Sequence, residues 1–176
     1  MKFFIEKRRS DFKKGFTLIE TFVAITILII SIVGPLTLVM KSLSISKTTK
    51  AQITAMYLAQ DGMEYVRNIR DENILTGNNW LLGLGDCVGV GAKCIVETSD
   101  HRNVDSCSTT CSPLNFNSDS KIYGYDSGDP PTVFTRTINI NEITLSQEVL
   151  VTVTMDWKEG PRDGVFVIEE HMLNWQ

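Results

Sequence analysis

At 176 residues with a formal net charge of -4, the chain has room for one domain plus an anchor. The charge is uneven, because the first 15 residues carry six Lys/Arg against Glu6 and Asp11, which leaves 11 basic and 19 acidic groups in the remainder. An acidic body repels polyanions, so intrinsic nucleic-acid binding is not expected.

The first predicted element follows a basic segment. From Thr21 to Met40 no residue is charged, and twenty helical residues at ~1.5 Å each span ~30 Å, the thickness of a bilayer core. Six basic residues precede this run, whereas only Lys41, Lys47 and Lys50 follow it closely. The asymmetry places the N-terminus in the cytoplasm and the body across the membrane. Met40 is followed by Lys-Ser-Leu-Ser-Ile-Ser, without the small-residue cleavage pattern of a secretory signal. Glu20 is the exception in an apolar stretch, and a carboxylate there is costly unless something pairs with it.

The stretch "KKGFTLIE", residues 13–20, resembles the processing motif of type IV prepilins and type II secretion pseudopilins: a short basic leader, Gly, then Phe-Thr-Leu-Ile-Glu and an apolar helix. The resemblance covers residues 13 to about 40, and Thr21 departs from the aliphatic residue usual after the glutamate. It implies cleavage between Gly15 and Phe16 on the cytoplasmic side by a prepilin peptidase, with N-methylation of the new Phe16 amine. It also implies that Glu20 pairs with the N-terminal amine of an adjacent subunit. The partners implied are the peptidase/methyltransferase, other pilin or pseudopilin subunits, an inner-membrane assembly platform and membrane lipid. The competing reading of the same residues is a generic signal anchor, with Gly15 a spacer and Glu20 at the membrane interface.

Gly34-Pro35 falls in mid-span, where proline removes a helical hydrogen bond and predicts a kink or local melting. Beyond it, residues 41–72 regain helical periodicity. Ala55, Leu58, Ala59, Gly62, Val66 and Ile69 form one narrow stripe suited to a sheet. Ile53, Met56, Tyr57 and Met63 fall on other sides, as in a broadly buried helix or one with a second face for neighbouring subunits. Glycines and asparagines from Thr76 end the helix.

Cys87, Cys94, Cys107 and Cys111 lie beyond the apolar run, where an exported domain forms disulfides. Zinc sites more often show C-x2-C pairs, and no metal or cofactor is expected. Pairing Cys87 with Cys94 and Cys107 with Cys111 closes two short loops, but spacing leaves all three pairings open. Short strands are predicted around Cys94–Thr98 and Ile122–Tyr125. "VFTRTINI", "EVLVTVTMDW" and "GVFVIEEHML" then alternate as three antiparallel strands, with Lys158–Gly164 as a hairpin loop. Val149, Val151 and Val153 share one face and Leu150, Thr152 and Thr154 the other. Trp175 is expected to pack as a terminal clamp.

The organisation is therefore a leader (1–15), a transmembrane assembly helix (16–40), its amphipathic continuation (41–72) and an extracytoplasmic domain (73–176). The fold class is α+β, a long helix packed on an antiparallel sheet, as in pilins.

Catalytic constellations are not evident. His101 and His171 lack companions in a known motif, and Asn115, Asn117, Asp119, Asp126 and Asp129 fail the spacing of a calcium loop. The glycines of "GLGDCVGVG" lack the lysine and following helix of a phosphate loop. The expected function is a structural filament subunit, with a minor position suggested by the irregular middle. Alternatives are a membrane-anchored binding module or an anchored enzyme with an unrecognised site.

Overall fold

The computed structural model describes residues 15–98, 103–159 and 162–175. The leader ahead of Gly15 and His101 lie outside the described residues. The chain divides into two compact units, Met1–Ile45 and Ser46–Gln176.

The principal helix, α1, runs Leu18–Leu75. Its end is set by backbone chemistry: Gly77 has φ +74°, Gly77 N–H bonds the Ile74 carbonyl at 3.1 Å, and Asn78 N–H bonds the Asn73 carbonyl at 2.8 Å. This is a Schellman closure, and glycine is the residue that adopts the left-handed turn without strain. The helix therefore extends a few residues past the expected limit at 72.

Within the second unit the strands are β1 (Cys94–Val96), β2 (Val104–Ser106), β3 (Pro113–Phe116), β4 (Tyr123–Gly124), β5 (Pro131–Thr144), β6 (Glu148–Glu159) and β7 (Arg162–Leu173). All pairings in this sheet are antiparallel. β5, β6 and β7 form a long meander. The other side of β5 holds two short hairpin-like additions, β1 carrying β2 and β3 carrying β4. The result is the α+β arrangement expected, one long helix on a curled antiparallel sheet.

The core forms where the helix stripe meets the valine face. Ala51, Ala55, Leu58, Ala59, Met63 and Val66 are buried on the helix, and Val149, Val151 and Val153 are fully buried on β6. Leu150, Thr152 and Thr154 take the opposite, half-buried face. Disulfides join Cys87 to Cys94 and Cys107 to Cys111, with Cα separations of 4.9 and 5.0 Å. The first lies in the core and ties the 3-10 turn Gly85–Cys87 to β1.

Several expectations are corrected. Met63, placed off the packed stripe by periodicity, is buried and extends it. The helix does not melt at Pro35: α1 is continuous through it, and the Thr37 hydroxyl donates to the Gly34 carbonyl at 2.8 Å. Proline removes one bond there, which the flanking turns outweigh. Lys158–Gly164 is not a loop of seven residues, because pairing continues through Lys158↔Asp163 to Glu159↔Arg162. Gly164 is strand, not turn, since the Trp157 ring occupies the space its side chain would fill. β5 likewise runs into the segment read as a connection, and β2 and β3 are additional strands. β1 and β4 are shorter than predicted. Trp175 is no clamp: it is 66% exposed, and the chain end is held instead by Asn174, which donates from its N–H to the Gln147 carbonyl and from its amide to the Ser146 carbonyl.

Candidate functional site: an exposed apolar helix and the arginine that seats its continuation

Gly15, Phe16 and Thr17 precede α1 and are exposed. Thr17 caps the helix, its hydroxyl accepting the Glu20 N–H at 3.3 Å while the Thr21 N–H opens the ladder to the Thr17 carbonyl at 3.1 Å. Thr-x-x-Glu is the sequence form of a helix start, and a carboxylate in the first turn is favoured by the partial positive charge of the free N–H groups. Glu20 thus has a local structural reason for its position in addition to any partner. The spacing was legible in "TLIE" and was missed.

Past Glu20 the helix exposes Phe22, Ile25, Ile27, Leu28, Ile30 and their neighbours on all sides. It is long and apolar enough to cross a membrane, a property it shares with signal sequences, and none of its apolar window is buried. Leaving a large side chain of this kind in water rather than burying it costs about 1.5–3 kcal/mol. A surface this large and apolar calls for lipid or protein cover.

In the second unit the decisive residue is Arg136, on β5 and 0% exposed. One terminal guanidinium nitrogen donates to the Leu58 carbonyl at 3.1 Å and to Asp61 Oδ2 at 3.0 Å; the other donates to the Val96 carbonyl at 2.8 Å. A buried guanidinium is tolerable only when so partnered. One side chain therefore joins α1, β5 and β1. Gly62 makes this possible, since a Cβ there would sit 2.9 Å from Arg136 Cδ. Beside it, burial pushes the Tyr125 hydroxyl above the ordinary tyrosine range, against the opposing pull of the Arg136 charge. Arg136 was not singled out by sequence reasoning. Its signal was alternation, because Phe134, Arg136, Ile138 and Ile140 occupy one face of β5 and all are buried.

The remaining sequence candidates have structural roles. Asn117 Oδ1 accepts the N–H groups of Asp119 and Ser120, its amide donates to Asp129, and Asn115 donates to the Asp126 carbonyl, so this acidic segment builds turns. Among the described residues no group of three His, Cys, Asp or Glu is arranged to hold a metal ion. Gly83, Gly89 and Gly91 adopt positive φ in the turns around Cys87. His171, on β7, lies 2.7 Å from Glu148 across the sheet surface.

Open grooves flank the helix continuation. One, about 480 Å³, is lined by Thr54, Tyr57, Asp61, Ile122 and Tyr123. Another, about 620 Å³, lies between α1 and β7 and is lined by Met63, Glu64, Arg67, Ile168, Glu169 and Glu170. Arg67 crosses it to Glu170 at 2.6 Å, and this bond raises the arginine pKa. Comparison with protein-family models, curated proteins and solved structures gave no match.

Proposed function

We propose that this chain is a structural subunit, a minor pilin or pseudopilin, of a type IV pilus-like or type II secretion filament. The observation that carries this reading is the order Gly15, Phe16, Glu20 at the head of a helix whose apolar segment buries nothing. The long helix seated on an antiparallel sheet is consistent with a pilin-like fold, and paired disulfides fit an exported domain. In this reading a prepilin peptidase hydrolyses the Gly15–Phe16 bond on the cytoplasmic side, and a methyl donor modifies the released Phe16 amine. The chain is held as a single-pass inner-membrane protein, and an assembly platform then moves it into a filament. There Glu20 meets the Phe16 amine of a neighbour, and opposite charges leave the bilayer together.

Mass spectrometry of the N-terminal peptide from native cells tests the reading. The expected species begins at N-methylated Phe16; an intact Met1, or a cut after Met40, would refute it. Glu20 separates pairing from capping. Glu20→Gln keeps the polar cap but loses the charge, so it should reduce the sheared-filament fraction as strongly as Glu20→Ala, by at least about tenfold if a buried pair is broken. Rescue by Gln would assign Glu20 to the helix start alone.

A further inference from the structure

The two edges of the sheet differ. On one side it ends in β2 and β4, of three and two residues, too short to template another chain. On the other it ends in β7, twelve residues paired to β6 in unbroken register without a bulge. Between Asp163 and Leu173 there is no proline and no lysine. The Asn174 N–H bond to the Gln147 carbonyl fixes the parity of the ladder. Gly164, Phe166, Ile168, Glu170 and Met172 bond β6, so the main-chain groups of Asp163, Val165, Val167, Glu169 and His171 point away from the sheet. Among the described residues these outward groups have no main-chain partner.

Beside this edge lies the 620 Å³ groove between α1 and β7. It gives room for the inward side chains of an added strand. On the other face Val165 and Val167 are exposed, flanked by Asp163 and Glu169. Lys158 reaches Asp163 at 3.6 Å, whereas Glu169 accepts from the Thr152 hydroxyl and Asp156 is exposed opposite Val165. Among the described side chains along this rim, the carboxylates Asp156, Asp163 and Glu169 outnumber the single lysine, Lys158.

We propose that β7 accepts an extended segment of another protein as an added antiparallel strand. Its side chains on the outer face would be basic, apolar, apolar and basic at alternate positions. Main-chain bonds to the outward groups supply affinity, and the alternate side chains supply selection. The basic positions lie opposite Glu169 and Asp163, the apolar ones opposite Val167 and Val165. A two-fold pairing of β7 with β7 centred on Phe166 sets Val165 against Val167 but Asp163 against Glu169, and like charges directly opposite disfavour it. The proposal does not rest on the filament reading, because it needs only the second unit.

The probe is a fluorescent peptide, Lys-Thr-Val-Thr-Val-Thr-Lys, titrated against the full chain in detergent micelles, with amide hydrogen exchange as a second readout. The expected result is saturable binding, with the amides of Val165, Val167 and Glu169 becoming protected. Val167→Pro removes an outward N–H without touching the β6 ladder and should weaken binding at least about tenfold. Glu169→Lys should weaken it about fivefold at low salt. Should the proline variant fail to fold, the same peptide N-methylated at both valines tests the same bonds on the native chain, and should not bind. Absence of binding by the parent peptide overturns the proposal, as does equal binding of the methylated peptide with the β7 amides unprotected. Neither result would bear on Phe16 processing.

Discussion

Between Leu18 and Ile45 the helix α1 buries no side chain, whereas between Ser46 and Leu75 it buries a continuous stripe from Ala51 to Val66 and then Asn73. The difference is one of size as much as of polarity. The second half places Ala51, Ala55, Ala59 and Gly62 on one side, so its backbone approaches the sheet closely enough for Arg136 to reach the Leu58 carbonyl. The first half carries Ile, Leu and Val around its circumference and has no such small-residue stripe. Hydrophobicity alone does not seat a helix on its own domain; a surface of matching relief and a few placed donors do.

This contrast can be broken most sharply at Arg136. Arg136→Ala removes the bonds to the Leu58 carbonyl, Asp61 and the Val96 carbonyl and leaves a cavity beneath α1, and should cost about 3 kcal/mol. Urea unfolding followed by the fluorescence of buried Trp80 and Trp157 reads the loss, while membrane partitioning should stay unchanged. A smaller effect sharpens the comparison between halves. Val66→Ala should cost about 2 kcal/mol in the same assay. Ile27→Ala, in the exposed half, should stay within about 0.5 kcal/mol. Equal losses would mean that the first half is part of the same folding unit.

The smallest effect concerns Tyr125. Its buried hydroxyl holds its proton more tightly in the folded chain than in the unfolded one, where tyrosine titrates near 10.0. The stability this contributes is fully present below that pH and is lost as pH rises from there through the higher folded value. Tyr125→Phe should flatten this alkaline loss relative to the parent chain, as measured by urea midpoints at successive pH values. An unchanged slope would show that Tyr125 is hydrated.

The helix, the valine face of β6 and the three long strands were legible because each repeats a period over many residues. Both disulfides also follow the two short loops closed by Cys87–Cys94 and Cys107–Cys111. Short strands were harder. β2 and β3 span three and four residues, too few for a period, and each has a hairpin-like neighbour at least as short, β1 and β4. Gly164 stands both at the end of the expected loop and at the head of the strand "GVFVIEEHML"; it is strand, and its lack of a side chain accommodates a tryptophan ring. Arg136 has no local mark of burial other than its place in the alternation of β5. Its inward position depends on a helix carbonyl 78 residues earlier in the chain, which no local pattern announces. At the candidate site the helix start was written in the Thr-x-x-Glu spacing of "TLIE", and the bond from the Glu20 N–H to the Thr17 hydroxyl shows it, whereas the processing assigned to Gly15 and Phe16 rests on sequence order alone.

The hydroxyls within the apolar half of α1 have a further consequence. Those of Thr21, Thr26, Ser31 and Thr37 donate at 2.8 Å to the carbonyls of Leu18, Val23, Leu28 and Gly34. Each donates within its own turn, so none has a hydroxyl hydrogen left to offer an approaching helix, and most of what that helix would meet is hydrocarbon. To such a surface an acyl chain and a neighbouring leucine are nearly the same solvent. Exchange of one for the other carries almost no solvation penalty, so this segment can trade lipid cover for protein cover without a polar bond having to break.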